Sequence, residues 1–415
     1  VPEQGPRRVV VTGCGVVSPI GSTTARFWAG LLAGRSGIGP LRRIDAAELP
    51  VRIGGEIHDF DPAPYMPRTL SRRIDAYAQY AIAAAAQAVA QAGLPADGGL
   101  GPRAGAFVGT AVGPTQLCVD GALASQRRGH RAVSPHFFAV SGQDHAVNEI
   151  ALRYRIQGPT MSVATGCATG TTCVGEAMRL IRAGVVDVML AGGADAPLTV
   201  LDVGAAAMAG ALSRRNDDPQ RASRPFDTGR DGFVMSAGAA VVVLEEAGHA
   251  RDRGATILAE LTGYGATTDG HHLTAPQPEG LGSGRAMTAA LADAGIGPAD
   301  VDHVNAHGTG TRLNDTVEVR AIRRVFGDHA TRVPITANKS MTGHMLGAAG
   351  AAELVATVHT VRTGRIPPTI NCDEPEDPEL DLVRDRPRER PVRRAMTNSF
   401  AFGGHNAVLV VQRWP

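Results

Sequence analysis

Two stretches of this 415-residue chain follow one grammar. Cys167 to Gly184 (CATGTTCVGEAMRLIRAG) and Gly347 to Gly364 (GAAGAAELVATVHTVRTG) each open on small residues and continue as an amphipathic helix. Each closes on an arginine and then a glycine, as a helix C-terminus does. A strand and a loop precede both. Repetition on this scale predicts two similar halves meeting near residue 250, residues 1–250 and 251–415, and accounts for the length of the chain.

The remaining pattern fits such halves. Short apolar runs at 8–12, 105–109, 186–191 and 239–244 read as buried strands, and 257–261, 301–305, 333–337 and 407–411 repeat the rhythm. Helical stretches lie between them, among them 27–33 and the alanine-rich 76–92. Strand–helix alternation from end to end implies an α/β protein with helices on sheet faces. Long loops at 98–105, 214–232 and 371–390 are candidates for function.

Composition removes several classes. Lys and Arg total 41 against 40 Asp and Glu, and aromatics make up 4%. Neither a basic field nor a stacking surface for nucleic acid is expected. No apolar run is long enough for membrane insertion, and residues 1–8 lack the apolar core of a signal peptide. Five cysteines (14, 118, 167, 173 and 372) contain no CxxC pair. That argues against a disulfide framework or structural zinc and for a reducing cytoplasm.

One cysteine stands out. Cys167 lies in SVATGCATGT, at a strand-to-helix turn whose tightness Gly166, Ala168 and Gly170 permit. Unpaired amides at a helix start stabilise a thiolate and can lower its pKa to roughly 3.5–7.5. The competing assignment is a small buried core cysteine. His307 in NAHGTGT and His344 in NKSMTGHMLG, beside Lys339, sit in glycine- and threonine-rich loops at strand ends, where α/β sheets bind ligands. A metal site is not expected, because no HExxH or ligand-rich cluster is present. NSFAFGGHN (398–406) reads as a glycine-rich loop whose amides could form an oxyanion hole.

SVATGCATG, VNAHGTGT, NKSMTGHMLGAAG and NSFAFGGHN, in that order, resemble the beta-ketoacyl synthase family of the thiolase superfold. The likeness runs from VVVTGCGVVSPIG through ALSRRNDDPQRASRPFD to the C-terminus. It implies a five-layered αβαβα sandwich of two pseudo-repeated halves and a dimer. It makes Cys167 the nucleophile that takes an acyl chain from a carrier thioester. His307 and His344 become the pair supporting malonyl decarboxylation, Lys339 the lysine tuning the site, and Glu318 the acid paired with that lysine. By the same resemblance Phe402 shares the oxyanion hole with Cys167 and, with Phe400, gates the acyl tunnel. Asp269 and Thr274 belong to a second gating segment, and Val112 and Phe137 line the acyl pocket. Arg72, Arg131 and Arg215 meet an acidic acyl carrier protein. No metal or organic cofactor is implied beyond the carrier's phosphopantetheine.

Three positions depart from the family pattern. Gly166 stands where fatty-acid synthases more often have alanine and is similar to type II polyketide ketosynthases. Ala237 removes a carboxylate, and His405 replaces a threonine. The resemblance therefore points to a type II polyketide ketosynthase, alone or beside a chain-length-factor subunit. The alternatives are a fatty-acid beta-ketoacyl-carrier-protein synthase II and a non-catalytic chain-length-factor-like partner, which would lack the cysteine. A thiolase would need a second catalytic cysteine where GGHN stands.

Overall fold

A computed structural model describes residues 7–95 and 99–415. Residues 1–6, weighed above for a signal segment, and residue 98, the first of the 98–105 loop, lie outside these. Ten strands form one mixed sheet: β1 (Val9–Val17), β2 (Ala104–Gly109), β3 (Thr160–Met161), β4 (Val188–Asp195), β5 (Gly238–Glu246), β6 (Ala259–Thr268), β7 (His303–Asn305), β8 (Ile335–Thr336), β9 (Arg394–Phe400) and β10 (His405–Gln412). Their order is β8-β7-β9-β10-β6-β1-β5-β4-β2-β3.

That order is one five-strand pattern used twice. In β3-β2-β4-β5-β1 the first three strands are parallel and the last two pairings antiparallel. β8-β7-β9-β10-β6 has the same order and the same directions. The two sheets are not separate layers throughout. They join where Val9–Val11 of β1 pair antiparallel with Ala259–Leu261 of β6.

Helices complete the layers: α1 (Ala76–Ala92), α2 (Thr115–Arg128), α3 (His145–Tyr154), α4 (Thr169–Arg182), α5 (Val200–Met208), α6 (Leu281–Ala294), α7 (Arg312–Phe326) and α8 (Ala349–Thr363). α1 and α3 cover the outer face of the first sheet, and α6 and α7 that of the second. α4 and α8, the repeated stretches of the sequence, lie between the sheets in one apolar core. The layers run αβαβα, as the family resemblance implies.

Strand faces explain the apolar runs. In β5, Ala240, Val242 and Leu244 face the central helices while Ala239, Val241 and Val243 face α1. Both faces are buried, so the strand reads as continuously hydrophobic. Small residues let helix meet strand closely. A Cβ at Gly13 or Gly15 of β1 would stand 2.0 or 1.8 Å from carbonyls of α1, and one at Gly263 or Gly265 of β6 would stand 2.2 or 2.1 Å from carbonyls of α6.

One assignment needs correction. Residues 398–400 do not belong to a loop; they end β9. Its Thr397, Asn398 and Ser399 are fully buried polar residues, which hides the strand from a hydrophobic pattern. Their side chains find polar partners, Thr397 in Asn305 of the adjacent strand (3.1 Å), Asn398 Nδ2 in Glu318 of α7 (3.3 Å) and Ser399 in Thr171 of α4 (2.7 Å).

Candidate active site

Both central helices spring from the same tight turn. Gly166 lies at φ 56°, Gly166–Ala168 form a 3-10 turn, and α4 continues from Thr169. In the second half Leu346 lies at φ 44°, Leu346–Ala348 form the turn, and α8 continues from Ala349. Cys167 and Gly347 occupy equivalent places. The turns press together, since a Cβ at Gly170 would sit 2.9 Å from the Gly347 carbonyl.

Only the first turn carries a sulfur. Cys167 Sγ lies 2.9 Å from His344 Nε2, and Cys167 packs on an apolar cluster with Phe233, Met235 and Leu346. Burial pushes the thiol up to about 12. The Lys339 charge and the amides of Phe402 and Cys167 pull the other way. The expectation of a depressed thiol pKa is thus corrected: desolvation outweighs the helix start here. Cys167 is thus held as a thiol paired with His344.

His344 is fixed by backbone pairing with the 234–236 segment. Its N–H donates to Val234 O (2.7 Å), and its carbonyl accepts from Ser236 N (3.0 Å). His307 follows β7, with its ring edge-on to His344 (centroids 5.5 Å) and Phe400 (5.9 Å). Burial first, then the Lys339 charge, hold both imidazoles well below 6.5. Both are therefore neutral. The Lys339 ammonium, which can only donate, lies 3.2 Å from His307 Nδ1 and 2.6 Å from His307 O. That places the His307 proton on Nε2.

The acid paired with Lys339 is not Glu318. Both Glu318 oxygens are occupied by the amides of His307 and Gly308 (2.8 Å each), so it braces the histidine loop from α7. Lys339 instead meets Glu353 of α8 at 2.5 Å. Burial pushes each carboxyl up to about 7, opposed by the two amides at Glu318 and by Lys339 at Glu353. Glu353 was missed by sequence reasoning. Its signal was available: it is the one acid in the apolar, fully buried run from Gly347 to Val358.

A cysteine paired with one histidine, beside a second histidine fixed by lysine, sits at the facing ends of two repeated halves. The family model for "Beta-ketoacyl synthase, N-terminal domain" matches residues 6–250, and that for the C-terminal domain matches residues 258–373. The chain belongs to the beta-ketoacyl synthase family. It is 44% identical over 408 residues to a 3-oxoacyl-[acyl-carrier-protein] synthase 2 of Coxiella burnetii, covering 98% of this chain and 99% of the relative. The corresponding Synechocystis protein is 42% identical over 410 residues, with 98% of each covered. Among solved structures, the ishigamide ketosynthase/chain length factor matches with TM-score 0.91 and 37% identity, over 99% of this chain and 100% of that one. A type II polyketide synthase acyl-carrier protein in complex with its ketosynthase bound to the hexaketide matches with TM-score 0.90 and 34% identity over the same shares. As a beta-ketoacyl synthase the chain is an enzyme of the acyltransferase type.

The other expected residues of this synthase fall into three groups. Phe400 and Phe402 flank the site, Phe400 nearly buried and Phe402 half exposed. Asp269 ties the neighbouring segment to their loop, accepting from Asn406 Nδ2 (2.8 Å) and Gln277 N (2.9 Å), while Gly403 N donates to Leu273 O (2.6 Å). Thr274 is exposed in that segment. Val112 packs on the same cluster as Cys167, whereas Phe137 lies over Gly121 of α2, away from the sulfur's apolar cluster. Arg72 and Arg131 are exposed; the Arg215 guanidinium donates to Gly229 O (2.7 Å) and lies 3.7 Å from Asp231.

The unusual positions are accommodated. The Ala237 methyl packs in the outer apolar cluster, and the His405 ring rests beside Gly403. The donor atoms of Cys167, His307 and His344 lie within 4.8 Å of one another, a spacing open to a soft cation, but the Lys339 ammonium sets a positive charge against one. No helix among the described residues is long and apolar enough to cross a membrane.

Proposed function

We propose that this synthase performs decarboxylative Claisen condensation between an acyl chain on Cys167 and a malonyl group on acyl carrier protein, as a type II polyketide ketosynthase. The observation that carries the chemistry is the convergence of Cys167, His344 and His307, with Lys339 setting the His307 tautomer. Cys167 sulfur attacks the acyl thioester while its proton passes toward His344. The amides of Cys167 and Phe402 receive the oxyanion, and the carrier thiol leaves with a proton. Malonyl thioester then loses carbon dioxide. Its electron pair becomes an enolate whose oxygen accepts from His307 and from His344, each carrying its proton on Nε2, and its carbon attacks the acyl-Cys167; the sulfur leaves as a thiolate and takes up a proton from water. As proposed, this needs no metal or organic cofactor beyond the carrier's phosphopantetheine.

The residues 1–250 half supplies the nucleophile and the 251–415 half the histidines. The polyketide assignment rests on Gly166 and on similarity to the ishigamide ketosynthase/chain length factor. A dimer, with itself or with a chain-length-factor-like subunit, is supported by the edge strand β3 and the exposed Phe138 (95%) and Met161 (52%). Five free cysteines support a cytoplasmic location. The second reading, a fatty-acid synthase II, is favoured by 44% identity to the Coxiella protein.

Intact-mass analysis with acyl- and malonyl-loaded carrier protein tests the chemistry. An adduct on Cys167 and an elongated beta-ketoacyl product, both absent from Cys167→Ala, are expected; no adduct from any carrier overturns it. Competition between saturated and 2-enoyl chains of equal length separates the pathways. Preference for the enoyl chain supports the polyketide assignment, and preference for the saturated chain the fatty-acid one.

A further inference from the structure

Asp195 ends β4, fully buried, and among the described residues no cationic side chain pairs with it. Four donors converge on it instead. Oδ1 accepts from the Thr110 hydroxyl (2.5 Å) and Val112 N (3.1 Å); Oδ2 accepts from Ala111 N (2.9 Å) and Gly347 N (2.7 Å). One carboxylate thus binds the loop bearing Val112, which shares an apolar cluster with Cys167, to the second turn three residues beyond His344. We infer that Asp195 is a positioning residue that sets the acyl wall at Val112 and the start of α8 together, and so governs which chains Cys167 accepts.

The donor arrangement makes this separable from a general structural role. In Asp195→Asn one oxygen becomes an amide that donates and cannot accept. Turned toward Ala111 and Gly347 it would face two backbone N–H groups, neither of which can accept. Turned the other way it meets Thr110, whose hydroxyl oxygen can accept from it once its own O–H turns away, and leaves Val112 N–H the one backbone donor without an acceptor. The substitution therefore loosens the acyl wall and spares His344. Adding Thr110→Val removes that hydroxyl and with it the acceptor of Gly113 N–H, also on the acyl-wall side. The amide keeps its orientation, because turning it would leave two backbone N–H groups unpaired in place of one, so the defect stays at the acyl wall.

The inference rests on the condensing reaction proposed above, so wild type is assayed in parallel. Loading of Cys167 from acetyl and octanoyl carrier protein is measured, with kcat and KM separated, along with malonyl decarboxylation after Cys167 is alkylated. Asp195→Asn is expected to weaken octanoyl loading about tenfold through KM, the scale of one unpaired buried donor, with acetyl loading and decarboxylation little changed. The double variant is expected to weaken octanoyl loading further and to keep decarboxylation. Equal loss of all three rates in Asp195→Asn, or no loss in any, overturns the assignment, as does a double variant in which decarboxylation falls as far as octanoyl loading. A wild type that loads no chain overturns the condensing reaction itself, and this assignment with it.

Discussion

Lys339 and Glu353 meet at 2.5 Å in the interior, fourteen positions apart, one in the short turn before His344 and the other on the helix after it. The same ammonium reaches His307 Nδ1 and O, so the pair fixes the position of His307. Glu353→Ala leaves that cation buried and unpaired. An expected loss of about 3–5 kcal/mol in urea unfolding would come with loss of condensation. Glu318→Gln, by contrast, disturbs one of two backbone bonds and should lower stability by about 1–3 kcal/mol. Equal effects of the two changes would contradict the pairing.

The Cys167 thiol titrates high because burial outweighs Lys339 and the facing amides. Alkylation by iodoacetamide, followed by mass, should keep rising with pH through pH 9. Lys339→Met removes the favourable charge and should slow alkylation further at every pH. A plateau below pH 8 in wild type would show a thiolate already formed.

His303 begins β7 with its Nε2 2.9 Å from Thr336 Oγ1, and burial followed by the Arg390 charge lowers its pKa from 6.5 to about 3. The unfolded chain binds a proton there that the folded chain excludes. Its stabilisation is therefore complete above pH 6.5 and is lost as pH falls toward 3. In that window this one group contributes a slope of about 1.4 kcal/mol per pH unit. His303→Asn should flatten the stability–pH profile by that amount; an unchanged slope would show a protonated or exposed His303.

Gly166 holds the left-handed conformation required just before the nucleophile. Alanine there is strained by roughly 1–2 kcal/mol, and its Cβ would stand 3.3 Å from that of Ala401. Gly166→Ala should lower Tm and slow acyl loading. An unaltered Tm would mean that the turn relaxes freely.

Arg72 and Arg131 reach solvent, while Arg215 is anchored to Gly229 and Asp231. Charge reversal of either exposed arginine should raise KM for carrier-bound substrate about tenfold, an effect that shrinks with salt and is missing for small acyl thioesters. Arg215→Glu should also destabilise, because it sets a carboxylate against Asp231. Equal effects on both substrate types would remove the carrier contact.

What could be read in advance was local. The 76–92 helix begins and ends as expected, because Asp75 caps its start and Gly93 turns left-handed at its end. Cys167, His307 and His344 each sit in small-residue turns whose purpose is legible without their neighbours. Relations between elements were harder. Choosing Glu353 over Glu318 depends on which helix passes behind Lys339, and no spacing along the chain encodes that. β9 escaped notice because its buried side chains are polar and paired with the adjacent strand and with α4. The thiol pKa was misjudged for a related reason: the helix start is visible in sequence, the depth of burial is not.

The second turn has a consequence for how such a chain can change. A side chain at Gly347 would begin 2.6 Å from Asp195 Oδ2 and 2.8 Å from Ala111 N, so a cysteine introduced there collides before it can react. The second turn cannot take a nucleophile by one mutation. Asp195 would have to shrink first, and its four donors would then lose their acceptor. The two turns thus differ in what each can carry: the first has room for a reactive sulfur, and the second is held to its task as a brace by the atoms packed against it.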